Sequence, residues 1–119
     1  MIERFEKTSR LSKVLVAGNF IYLSGLTAKD KSKNVHDQTL EVLEQIDRYL
    51  EMAGSDKRHI LSANIWLTDV STFAEMNQAW ESWVDPEAVP ARATVGSPLA
   101  GKGSKVEIQV QAIKHQGQL

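Results

Sequence analysis

The sequence predicts an α+β fold: a mixed β-sheet with two helices packed on one of its faces. Three observations lead there. First, the hydrophobic period switches twice from two to about 3.6 residues and back, giving the order β-β-α-β-α-β-β. Second, the strand residues sort into two unlike faces. One is aliphatic (Ile21, Leu23, Ala63, Ile65, Leu67, Val106, Ile108, Val110) and suits helix packing. The other mixes Phe20, Tyr22, Asn64, Trp66, Arg92, Thr94, Glu107, Gln109 and Gln111. Third, 119 residues, 42% of them hydrophobic, form one domain over residues 1–119 that can hold a core without disulfides.

Each element has a local reason. A short strand is expected near Ile2–Phe5. From Ser12 to Gly25 two strand-like runs flank Gly18-Asn19, a tight-turn pair. A polar loop follows from Thr27 to Lys33. Between Val35 and Ala53, Leu40, Leu43, Ile46 and Leu50 line one helical face, and Gly54 suits the position just past the helix end. Ile60 to Thr68 alternates as a strand. Asp69 or Ser71 then caps a second helix whose apolar stripe is Phe73, Met76, Trp80 and Trp83, closed by Asp85-Pro86. Strands Ala91–Val95 and Val106–Ile113 complete the plan, separated by a Gly/Ser/Pro loop.

Composition excludes several function classes. Fourteen Lys and Arg against fifteen Asp and Glu leave a net charge of −1, which supplies no general field for nucleic acid or an anionic membrane. With no cysteine there is no thiol catalysis and no Cys-based metal site. No apolar run is long enough to span a bilayer, and Met1-Ile2-Glu3-Arg4 does not open a signal peptide, so a soluble cytoplasmic protein is expected. Gly96 to Gly103 nearly spells a phosphate-binding loop, but Gly103 replaces the required Ser or Thr and a strand, not a helix, follows. His36, His59 and His115 show no metal-ligand spacing. Glu44, Asp47 and Glu51 read as a solvated helix face.

Two helices cannot cover both faces of the sheet. The mixed face, with Phe, Tyr and Trp beside isolated charges, therefore reads as a subunit interface containing a polar site. Trp66 falls on it, whereas Trp80 and Trp83 read as core. Arg92 and Glu107 are both assigned to this face. Arg92 offers a rigid fork for a carboxylate, and Glu107 a base to orient water. A structural Arg92–Glu107 ion pair between neighbouring strands is the competing explanation.

At these residues the chain resembles the Rid proteins, the YjgF-like imine/enamine deaminases. The resemblance runs from the Gly18-Asn19 hairpin into Tyr22-Leu23-Ser24-Gly25, through Gly54 and Asp69–Phe73–Asn77, to Pro90-Ala91-Arg92 and Val106-Glu107-Ile108. Ser12-Lys13-Val14 and Met76 to Val84 look like a side branch of that family. The resemblance implies a chorismate-mutase-like fold and a homotrimer with ligand clefts between subunits. It also implies cofactor-free hydrolysis of 2-imino or 2-enamino acids to 2-keto acids and ammonia. By position, Arg92 matches the residue that clamps the substrate carboxylate and Glu107 the one that places water. Gly25, Asn77 and Thr94 match cleft-lining, substrate-binding positions. Leu11, Leu26 and Thr94 depart from the Tyr, Gln and Cys common there, which implies a more apolar pocket. Two other functions are compatible with the residues: a non-catalytic module for small carboxylates, and a ribonuclease, against which the charge balance argues.

Overall fold

The computed structural model describes residues 1–115. Its strands are β1 (Ile2–Lys7), β2 (Ser12–Ala17), β3 (Phe20–Leu23), β4 (Leu26–Thr27), β5 (Ile60–Leu67), β6 (Ala91–Gly96) and β7 (Val106–Ile113). The helices are α1 (Val35–Met52) and α2 (Phe73–Trp83). The sheet runs β1-β2-β3-β7-β5-β6, with β4 pairing β7 beyond the end of β3. Every pairing is antiparallel except β5 with β6. This is the expected α+β architecture. The short first strand is six residues long, and two-residue β4 is an addition where the stretch read as loop, Thr27 to Lys33, begins.

The turns follow from local chemistry. Gly18 adopts φ +62° and with Asn19 forms the two-residue loop between Ala17 and Phe20, a hairpin with positive φ at its first position. Asn34 caps α1 by accepting from the Asp37 N–H at 2.8 Å. At the other end Gly54, φ +84°, donates to Glu51 O while Ser55 N donates to Leu50 O. That pair of hydrogen bonds satisfies two of the last carbonyls of the helix.

One core holds both layers together. Val14, Val16, Ile21, Leu23, Ile65, Leu67, Ile108 and Val110 point from the sheet to the helices and are buried. Val42, Leu43, Ile46, Tyr49 and Leu50 meet them from α1, and Met76 and Trp80 from α2. Leu40, expected on the buried face of α1, is 39% exposed. The stripe is rotated so that Thr39 and Val42 take its place, and Thr39 is tolerated because its hydroxyl bonds Val35 O at 2.7 Å. Phe73 and Trp83 lie at the margin rather than inside. Buried Gln38 ties two loops to α1: its amide donates to Lys33 O (3.1 Å) and Gly103 O (3.2 Å) and accepts from Lys105 N (2.9 Å). That clamp fixes where β7 begins, and so where Glu107 stands.

Among the described residues nothing covers the opposite sheet face. The protein is a slab of 44 × 38 × 20 Å, thin enough for one sheet and one helical layer. Phe20, Tyr22 and Val95 on this face are 52%, 42% and 50% exposed. No helix among the described residues is long and apolar enough to cross a membrane.

Candidate functional site

The register corrects one expectation. Arg92 pairs with Ala63 and Thr94 with Ile65, both buried against the helices, so Arg92 and Thr94 lie on the helix-covered face. Glu107 pairs with Trp66 and with Thr27 on the open face. The two charged residues are therefore on opposite sides of the sheet. They are not on neighbouring strands either, because β5 separates β6 from β7 by two strand spacings, roughly 9–10 Å. The reason the alternation misleads is that β6 reads Ala-Arg-Ala-Thr-Val-Gly. Its small apolar residues fit either face, and its parallel pairing sets the parity. An Arg92–Glu107 ion pair within one chain is thereby eliminated.

Arg92 is half-buried at the sheet edge, its guanidinium carbon 5.3 Å from the ring centre of Trp80 and 5.9 Å from that of Phe73. These cation–π contacts fix the fork on the helix side. Burial pushes the guanidinium below its ordinary pKa, partly offset through space by Glu81. Among the described residues no carboxylate pairs with it. Thr94, two residues on along the same face, carries a buried hydroxyl oxygen with no hydrogen-bond partner. Asn77 lies on α2 between Phe73 and Trp80, on the helical face those aromatics define. Arg92 and Thr94 are thus one group, with Asn77 on the helical face that carries the two rings. A partly desolvated cation beside an unsatisfied hydroxyl suits a small carboxylate.

Glu107 and Gly25 form a second group. Gly25 passes so close to the Glu107 carboxylate that a Cβ there would overlap Oε2 and lie 3.0 Å from Cδ. Half-buried Trp66 stands beside Glu107 on β5. The glycine leaves room for the carboxylate where it stands, a matter of contact and not of backbone angle, since its φ is not positive. The arrangement holds a carboxylate at an open surface where it can bind a water.

Further along the open face lies a concavity of about 530 Å³ between the β1–β2 loop and β3, lined in part by Arg4, Lys7, Arg10, Leu11, Ser24 and Gln109. Leu11 is among the residues lining it. Leu26 is not: it pairs with Ile108 on the helix side and is 1% exposed, so it belongs to the core. The lining mixes basic and hydroxyl side chains with Leu11, Leu15, Tyr22 and Leu23. The apolar stripe read along α2 holds Phe73 and Trp80, but nothing in that spacing says that the two rings floor an arginine.

The remaining candidates stay out of the site. Gly96–Gly103 leads into β7, with no helix N-terminus to receive a phosphate. His36 bonds Asp37 at 2.9 Å and His59 bonds Asp56 at 2.8 Å. Trp83 donates to the Asp47 carboxylate at 2.9 Å, so the outer face of α1 is partly engaged in packing. Among the described residues no three acidic or histidine side chains are arranged to hold a metal ion.

Known proteins resemble this chain along almost its whole length. The family model described as Endoribonuclease L-PSP matches residues 1–114. A RutC family protein of Haemophilus ducreyi is 40% identical over 117 residues, covering 98% of this chain and all of the relative. The RutC family protein YoaB of Escherichia coli is 39% identical over 111 residues, 93% of this chain and 96% of its own. A YjgF-family crystal structure from Neisseria meningitidis superposes with a TM-score of 0.95 at 41% identity, covering 98% of both chains. The fold is the chorismate-mutase-like fold of those neighbours.

Proposed function

The chain belongs to the YjgF/RutC family, the family of the Endoribonuclease L-PSP model, and on that premise we propose that it hydrolyses reactive 2-imino and 2-enamino acids to 2-keto acids and ammonia. The observation that carries this reading is the state of Arg92: a half-buried guanidinium over two aromatic rings, beside an unsatisfied threonine hydroxyl, with no ion-paired carboxylate among the described residues. Such a fork is built to receive a carboxylate from elsewhere.

The geometry then asks for more than one copy. Arg92 with Thr94 and Asn77 is on one side of the sheet at its β6 edge, and Glu107 with Gly25 is on the other. A substrate a few ångströms long cannot reach both within a protomer. We place the reaction in a cleft where the β6 edge of one protomer meets the open sheet face of the next, and the uncovered Phe20, Tyr22 and Val95 supply the apolar contact. A closed ring of three copies, the homotrimer the resemblance implies, makes three such clefts.

In that cleft Arg92 holds the substrate carboxylate, and the protonated imine carbon lies near Glu107 of the partner subunit. Water adds to that carbon while Glu107 takes one of its protons, giving a carbinolamine. The proton passes to nitrogen, the C–N bond breaks, the hydroxyl proton is lost and ammonia leaves with the 2-keto acid formed. An enamine enters the same path after protonation at carbon. The iminium is already electrophilic, so positioning, water and charge stabilisation suffice, and no cofactor is assigned a step.

The test is ammonia and keto-acid release above the spontaneous rate when the protein meets freshly generated imino acids. Wild type should accelerate release as a trimer by sedimentation, and Glu107→Gln should lose about 10²–10⁴ in turnover with the trimer intact. Keto-acid binding without turnover would leave a small-carboxylate binding module. Cleavage of single-stranded RNA, with no effect on imines, would favour the activity in the family model's description instead.

A further inference from the structure

We infer that the substrate of this cleft carries a second carboxylate, so that the protein acts on dicarboxylic 2-imino acids. The inference rests on the deaminase reading for the reaction, but on separate residues for the ligand. The concavity on the open face presents Arg4, Lys7 and Arg10 together, and no acidic residue lines it. None of the three is in an ion pair among the described residues. Three uncompensated cations around one concavity contrast with a chain whose net charge is −1. That is a local anion site, not a general field.

The site is built and correctly placed. The loop that carries Arg10 is closed by Thr8, whose hydroxyl oxygen accepts from Arg10 N at 3.1 Å and Leu11 N at 3.2 Å. Ser24 Oγ donates to Ser12 O at 2.6 Å, tying this loop's end to the segment that leads directly into Gly25. Gln109, on the wall, is two residues from Glu107 on the same strand and face, about 7 Å away. A chain of two or three methylenes and its terminal carboxylate covers most of that gap. Its first carboxylate is on Arg92 of the partner subunit and its imine carbon at Glu107; Leu11 and Leu15 flank the methylenes, and the far carboxylate meets the cations. A concavity of about 530 Å³ fits a small dianion.

The experiment compares iminoglutarate with the imino acid of norleucine, each generated by oxidation of its amino acid. Wild type is set against an Arg4→Gln/Arg10→Gln double variant, and 2-oxoglutarate and 2-oxohexanoate binding is measured in parallel. We expect kcat/KM to favour the dicarboxylate by about tenfold or more, the worth of one charge-assisted hydrogen bond. The ratio should fall to within about twofold in the double variant, and shrink in wild type as salt rises from about 20 to about 500 mM. Hydrolysis of both imines with no preference, or a preference that survives the double substitution, overturns the inference and leaves the deaminase reading standing. If neither imine is hydrolysed but 2-oxoglutarate binds more tightly in an arginine-dependent way, the ligand class stands and the deaminase reading falls.

Discussion

Replacing Arg92 separates its two possible jobs. In the structure the guanidinium contacts the Phe73 and Trp80 rings of its own chain at 5.9 and 5.3 Å, and Glu81 acts on it through space. Each such contact at a partly exposed site is worth about 0.5–1 kcal/mol, so Arg92→Ala should cost about 1–2 kcal/mol of stability and a few degrees in Tm. Against a substrate carboxylate the fork makes two charge-assisted hydrogen bonds of about 1.5–3 kcal/mol each. Allowing for non-additivity, losing both removes about 3–5 kcal/mol, or about 10²–10³ or more in kcat/KM. Arg92→Lys keeps the charge and much of the cation–π contact but not the fork, so it should recover stability and little activity. The assay pairs imino-acid hydrolysis and keto-acid binding with a thermal melt on the same three proteins. A large drop in Tm for Arg92→Ala, with carboxylate affinity unchanged, would refute the reasoning and make Arg92 a packing residue.

Three further outcomes follow from the geometry. Gly25→Ala should push the Glu107 carboxylate from its place and lower turnover by about tenfold or more, while the melt moves little because a flexible side-chain end can give way; unchanged kinetics would show that Glu107's position is unimportant. Thr94→Val removes a buried hydroxyl without a partner, so the ligand-free protein should be equally or slightly more stable, by up to about 1 kcal/mol, while keto-acid affinity falls; unaltered affinity in a titration would take Thr94 out of the site. Burial raises the Asp56 carboxyl, but bonds from the His59 ring and Arg58 N–H, with the nearby His59 and His115 charges, leave it below its ordinary 3.8. Its contribution is then fully present above pH 3.8 and lost as pH falls through the lower folded value, so Asp56→Asn should flatten that part of an acid-stability curve, and an identical slope would contradict this.

How much was legible in the sequence depends on how strongly each pattern binds itself to one answer. The aliphatic alternation of Ile21–Leu23, Ala63–Leu67 and Val106–Val110 has a single low-energy placement, against helices, and the structure has it there. Gly18 and Gly54 mark turns because their positive φ is a local requirement. Glu107 on the open face was equally readable, being locked between buried Val106 and Ile108. So were the family pattern around Pro90-Ala91-Arg92 and the uncovered face with Phe20 and Tyr22. Tertiary structure alone decided the rest. The face of Arg92 and Thr94 depended on how β6 pairs with β5, because a strand of Ala, Thr and Gly carries no amphipathic signal strong enough to set its parity. Leu26 went to the core because β4 adds a two-residue pairing to β7 that no propensity announces. Leu40 lost its place to Thr39 and Val42, since the rotation of α1 is set by what it packs against, not by its own stripe. Arg4, Lys7 and Arg10, spread over a strand and its loop, became one cationic wall only when the β1–β2 hairpin closed. Charges in a sequence have positions, but a field needs them brought together in space.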